Sequence, residues 1–420
     1  MPRDLELEHT KMPVTDGHDN KVCGLVAAVF TPFNANGDLN LDVIEPYIDH
    51  LYENQVVNVF VNGTTGEGLS MTIEERKRHA EMWVKAGAGK LDKIIIHVGS
   101  HNLIESKDLA THAQEIGASA IAALPSFFFK PQSAEDLVEY CRQIAECAPD
   151  LPFYYYHLPR MTGVTFDMRD FFDKAENTIP NLAGVKFQST HLMEASQVQC
   201  MHNGHFQVML GLDEVYLGAM ALGIDWAVGS TYNFLSNVVH RMVEAFNKSD
   251  NYTARVEQKR VQDVISIRNK YGGGVAELKE IFRFVGPDVG PPRFPLKPLS
   301  AEKRDGLKQE LTNIGFFYWT KDHLTPPQSP LTQRTKDKRR TLHRATSLLT
   351  DDGDPPSSPK ATTDPHGSFN HSHSHGSFSH GHHTGSMGHG TKHRHASGSS
   401  SGSGSHLEKQ TSNTSLLTEG

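Results

Sequence analysis

The sequence predicts an α/β fold: a (β/α)8 TIM barrel with a C-terminal helical extension and a disordered low-complexity tail. Two observations carry the barrel. Eight short apolar segments fall between residues 24 and 231, and helical patterns lie between most of them. Each segment reads as a strand buried on both faces, as a parallel sheet wrapped in helices requires. A third observation bounds the fold. Near residue 320 the chain turns to Ser, Thr, Pro, Gly, Lys, Arg and His, and all three tryptophans lie before that point.

The strand candidates, in order, are GLVAAVF (24–30), NVFVNG (58–63), IIIHVG (94–99), AIAALP (120–125), FYYYHLP (153–159), AGVKFQ (183–188), QVMLGL (207–212) and WAVGST (226–231). Between them, LDVIEPYIDHLYEN, TIEERKRHAEMWVKAG, LIESKDLATHAQEIG and AEDLVEYCRQIAECA repeat apolar residues at three- and four-residue spacing, as amphipathic helices do. An open doubly wound sheet is the alternative, and eight regular units favour closure. The organisation that follows is a flexible N-terminus over 1–20, the barrel over 21–233, the helical extension over 234–319 and the tail over 320–420. Two or three helices are expected in the extension, from VVHRMVEAF onward.

Bulk properties exclude several classes of function. A net charge of −8 gives no footprint for nucleic acid or anionic membrane. No apolar run approaches the roughly 18–20 residues that span a bilayer. The first twenty residues are polar and acidic, without the apolar core of a secretory signal. Cys23, Cys141, Cys147 and Cys200 are scattered and form no C-x-x-C pair, so no disulfide framework is expected. A cytoplasmic protein acting on a small molecule fits these properties.

In such a barrel the active site lies at the C-terminal ends of the strands. Polar residues at those ends are therefore the candidates. Lys186, inside AGVKFQ, stands out because lysine is rarely fully buried. Desolvation lowers the pKa of an amine, and the neutral amine attacks carbonyls, which is Schiff-base chemistry. A lysine whose head reaches the strand end to pair with a carboxylate is the structural alternative. Tyr156 shares a strand face with Tyr154 and neighbours Lys186; a phenol there can move a proton, or three tyrosines can simply form core. Gly63-Thr64-Thr65-Gly66-Glu67 joins a strand to a helix and suits a carboxylate, or is a plain turn with a threonine cap. Asp213 and Glu214 follow the seventh strand, as hydroxyl ligands or as helix-starting acids. Ser230 ends the eighth.

Together these motifs resemble the N-acetylneuraminate lyase subfamily of class I pyruvate-dependent aldolases, whose wider family includes dihydrodipicolinate synthase. The resemblance runs over residues 22–318 and keeps the order GTTGE, YYYHLP, GVKF, GLDE, VGSTYN. The stretches FVNGTTGEGLS and GPPRFPL are similar to the animal lyases. The resemblance implies that Lys186 forms the Schiff base and that Tyr156 takes the proton from the C4 hydroxyl as C3–C4 breaks. It implies that Thr64 and Thr65 hold the pyruvate carboxylate. Gly211, Asp213, Glu214 and Ser230 would bind the arm that leaves as N-acetylmannosamine. The iminium is the electron sink, so no metal or organic cofactor is required, and a homotetramer is expected.

Position by position, the resemblance favours the lyases over the synthases. The synthases follow their tyrosine strand with an arginine for a second carboxylate; Met161 stands there, and Arg160, one residue early, would face the other way on a strand. Phe127-Phe128-Phe129 replaces a tyrosine that the synthases lend across subunits. Two departures stand out: Gln188 replaces a small hydroxyl residue, and His191 an acidic one. Another sugar-acid aldolase of the family, or a non-catalytic scaffold with an aldolase-like barrel, remain the competing functions. The intact set Lys186, Tyr156, Thr64, Thr65 argues against the scaffold.

The resemblance does not reach the tail. Ten histidines between His366 and His395 suit weak transition-metal binding, without a framework for a fixed site. Thr341, Thr346 and Ser347 lie beside basic residues as candidate phosphorylation sites.

Overall fold

The computed structural model describes residues 21–321. The expectations for residues 1–20 and for the tail, including its histidines and phosphorylation candidates, lie outside these residues.

Eight parallel strands close into a barrel in chain order, with the last pairing the first. They are β1 Leu25–Ala28, β2 Asn58–Val61, β3 Lys93–His97, β4 Ala120–Ala123, β5 Phe153–His157, β6 Leu182–Phe187, β7 Gln207–Leu210 and β8 Trp226–Gly229. The continuous apolar runs resolve into two alternating sets, because successive side chains leave a strand on opposite faces. Val26, Ala28, Phe60, Ile95, Ala120, Ala122, Tyr154, Tyr156, Met209 and Val228 fill the interior. Their neighbours Ala27, Val59, Val61, Ile94, Ile96, Ile121, Phe153, Tyr155, Val185 and Phe187 belong to the larger core beneath the helices.

The helices in the first seven units are α1 Ile44–Glu53, α2 Ile73–Gly87, α3 Leu103–Glu115, α4 Ala134–Ala145, the short α5 Pro159–Thr162, α6 Met168–Ala175, α7 Leu192–Cys200 and α8 Tyr216–Met220. Their starts are set locally. Thr72 and Glu75 form a reciprocal capping box on α2, while Asn102, Ser133 and Asp167 accept from first-turn amides of α3, α4 and α6. Arg160 and Met161 lie exposed on α5, a helical turn, rather than on an extension of β5.

Among the described residues five α-helices follow β8 rather than two or three: α9 Ser236–Asn247, α10 Asn251–Tyr271, α11 Val275–Arg283, α12 Ala301–Asn313 and α13 Phe316–Trp319. Apolar spacing alone hides the breaks. Ser249 takes a positive φ of 62° between α9 and α10, and Gly272-Gly273-Gly274 separate α10 from α11.

One irregularity sets the active register. Phe153 pairs with Leu182, yet Tyr154 pairs with Gly184, so Ala183 is an extra residue in β6. The slip brings Lys186 directly opposite Tyr156. It also presses Gly184 against β7, where an added Cβ would stand 1.9 Å from the Gln207 carbonyl oxygen. Gly184→Ala should therefore destabilise the protein by roughly 2–4 kcal/mol, as overpacking against fixed backbone does, and lower the midpoint of chemical denaturation accordingly.

Candidate active site

Lys186 lies between Val185 and Phe187, which both face the outer core, so the period of the strand turns it into the barrel. The side chain is buried, with 3% of its surface exposed. Its Nζ sits 4.1 Å from the ring centre of Phe60 and 4.1 Å from that of Tyr156. Burial pulls its pKa down to about 7, against the opposing charge of Asp213. Near neutrality a large share of this amine is uncharged.

The Tyr156 hydroxyl donates to Gln188 Oε1 at 2.6 Å and lies 3.4 Å from Thr64 Oγ1. Burial pushes its pKa up to about 12, so the phenol keeps its proton at neutral pH. His97, at the end of β3, stands edge-on to Tyr156. Its Nδ1 donates to the Asn62 carbonyl at 3.1 Å, since that oxygen can only accept, and Nε2 is buried without a partner. Burial, with the charges of Arg76 and Lys186, holds this imidazole far below its usual pKa and therefore neutral.

Thr64 and Thr65 sit on a turn that is braced from behind. Gly68 packs where a Cβ would stand 1.9 Å from the Asn62 carbonyl oxygen, and Glu67 takes a left-handed φ of 51°. That unfavourable backbone is held by a buried ion pair. Glu67 Oε1 meets Lys279 Nζ of α11 at 2.7 Å, and Oε2 accepts from the Arg293 amide at 2.8 Å. Lys279 also donates to the carbonyls of Thr31 and Pro291. The Arg293 guanidinium pairs both terminal nitrogens with Glu75 and lies over the Phe33 ring. The Thr31 hydroxyl donates to the Gly66 carbonyl at 2.5 Å. GPPRFPL and GTTGE stand out in the sequence, but nothing in it joins Glu67 to Lys279, which lies 212 residues further along the chain.

Asp213 follows β7 and is buried. Its Oδ2 accepts from the Thr231 amide at 2.9 Å and hydroxyl at 2.7 Å, while Oδ1 has no hydrogen-bond partner. Burial raises its pKa. Thr65, Glu214 and Ser230 are half-buried, and their side chains make no hydrogen bond among the described residues. The carbon chain of Gln188 lies over Gly211, where an added Cβ would be 2.9 Å from Gln188 Cβ. His191 is exposed, 3.8 Å from Glu194. Thus Lys186, Tyr156 and Thr64 gather with Asp213 in electrostatic reach, and Gln188 joins them through Tyr156. Phe60 and His97 complete the cluster. Their only sequence signal was a place on the inward phase of a strand, which core aromatics share.

The profile of the Dihydrodipicolinate synthetase family matches residues 21–314. The N-acetylneuraminate lyase of Rattus norvegicus is 45% identical over 300 residues, covering 71% of this chain and 94% of the rat protein. That of Homo sapiens is 43% identical over 303 residues, covering 71% and 95%. Among solved structures, Proteus mirabilis N-acetylneuraminate lyase aligns with a TM-score of 0.68 at 39% identity, over 71% of this chain and all (100%) of that one. A family match spanning most of the chain, on a closed eight-stranded barrel with a lysine buried inside it, leads to one conclusion: the chain belongs to the dihydrodipicolinate synthetase family.

Proposed function

We propose that this protein is a class I aldolase, an N-acetylneuraminate lyase, cleaving N-acetylneuraminate reversibly to N-acetylmannosamine and pyruvate. The observation that carries it is Lys186: a buried amine with its pKa near 7, paired in register with Tyr156. The similarity to proteins named as lyases supports the substrate.

The neutral Lys186 amine adds to the 2-keto carbon, and loss of water leaves an iminium. Thr64 and Thr65 hold the carboxylate with hydroxyls and the amides of their turn. As C3–C4 breaks, the C4 hydroxyl proton passes to Tyr156. A phenol held near 12 accepts it only by handing its own proton on; Thr64 Oγ1 at 3.4 Å is within reach to take that proton while passing its own to the bound carboxylate, and the same chain run in reverse returns a proton for C3 of the enamine. The bond pair enters the iminium to give an enamine, so the chemistry calls for no metal or organic cofactor. Protonation at C3 and hydrolysis release pyruvate. Asp213 Oδ1, Glu214, Ser230 and the Gly211 backbone would take the hydroxyls of the departing arm. Gln188 over Gly211 favours one second reading, an aldolase for a different sugar acid. The family resemblance supports a homotetramer, and composition a cytoplasmic location. Weak transition-metal binding by the histidines of the tail is part of the same proposal.

The deciding experiment is incubation with pyruvate, reduction with borohydride and peptide mass spectrometry, with N-acetylneuraminate turnover on the same sample. Label on Lys186 with turnover is expected. Label without turnover points to another sugar acid, and no label returns the barrel to a scaffold. Adduct formation should rise with pH through about 7 and then level off, because the ammonium form that dominates below that value cannot attack. Tyr156→Phe should still trap pyruvate on Lys186 while cleavage falls by about 10²–10⁴-fold, measured as kcat. Lys279→Met leaves Glu67 buried without its partner; it should lose about 3–5 kcal/mol of stability in denaturant melts and raise the pyruvate concentration needed for half-maximal trapping.

A further inference from the structure

The mechanism leaves the ring of Phe60 without a role, although it touches the reacting nitrogen. Phe60 is fully buried on β2, with its face 4.1 Å from Lys186 Nζ. Tyr156 presents a second face at the same distance, nearly perpendicular to the first at 76°. His97 packs against both rings. From the mouth side Gly63 lies over Phe60, so closely that an added Cβ would be 2.6 Å from the ring. The ring is therefore held in place by the same turn that carries Thr64.

During turnover the Lys186 nitrogen changes charge repeatedly. It is a neutral amine, then a cationic iminium, a neutral enamine, an iminium again and finally an amine. Desolvation alone would oppose both cationic stages. The titratable groups acting on this nitrogen are Asp213 from the end of β7, Tyr156 from β5 and His97 from β3. Of these only Asp213 supplies negative charge. An aromatic face attracts a cation through its quadrupole, most strongly where water is excluded, and it leaves a neutral nitrogen nearly untouched.

We propose that Phe60 is a catalytic residue whose ring face stabilises the cationic nitrogen of Lys186 relative to the neutral amine and enamine. The proposal rests on the aldolase reading above. It favours two steps. In carbinolamine dehydration the C–O bond breaks, the hydroxyl leaves as water with a proton from solvent, and the nitrogen lone pair closes the C=N bond. In enamine protonation the C=C pair takes a proton at C3 and the C=N cation re-forms.

The test places phenylalanines bearing one, two and three ring fluorines at position 60. Fluorine drains the face of the ring at nearly constant shape, so the fold is kept. The readout is the borohydride-trapped pyruvate adduct on Lys186 across pH, with Phe60→Leu and Phe60→Trp alongside. Adduct formation should fall stepwise with fluorination, by about tenfold in all for the trifluoro ring, and Phe60→Trp should retain it. The acid limb should move to lower pH, because an ammonium that loses its aromatic face gives up its proton more readily. A fluorine series flat in both yield and pH limb overturns the role of Phe60 while the aldolase stands. Absence of adduct in the unsubstituted protein removes the aldolase itself, and this inference with it.

Discussion

An amine sealed inside a closed barrel cannot keep its charge as water would let it. Every feature of this site answers to that constraint. Burial brings Lys186 to the edge of neutrality, Asp213 leans the other way, and two aromatic faces and a neutral imidazole surround the nitrogen without adding positive charge. The amine is brought near neutrality by the water withheld from it. The same dryness keeps the Tyr156 phenol protonated at neutral pH.

The barrel supplies that dryness, but not the whole site. The turn with Thr64 and Thr65 carries a left-handed Glu67, and α11 and the segment after it reach over and pair with that residue. Arg293 then ties that segment to the start of α2 through Glu75. A buried ion pair contributes little net stability, and losing one partner is far more damaging than replacing both. Its value here is conformational: it specifies one shape for the turn.

Most of the architecture could be read from the chain because it rests on local patterns. Eight apolar runs separated by helical periodicity allow few other folds, and a lysine within such a run draws attention to itself. Phase sets Tyr154 and Tyr156, which share the inward face, apart from Tyr155, which looks out; the choice of Tyr156 over Tyr154 comes from the family resemblance. What escaped depends on contacts between distant residues. The extra residue at Ala183 leaves no mark in composition, yet without it His157 rather than Tyr156 would stand opposite Lys186. Phe60 looks like any core aromatic until the lysine is seen lying on it. Lys279 sits in α11 beside Glu277 and Glu280, and nothing in the sequence points past them to Glu67 as its partner. Gln188 was noticed as a departure, but its bond to Tyr156 required the barrel to close.

The brace from Glu67 to Lys279 and Arg293 also says how much chain a working unit needs. The eighth strand ends at Gly229, so a piece stopping just past it would hold every strand and still leave Glu67 facing nothing. The shortest stretch that can keep the turn in shape runs through Arg293. In a growing chain, the second-strand turn therefore waits for residues that emerge more than two hundred positions later. The brace on the second-strand turn can form only once the chain has been made through Arg293.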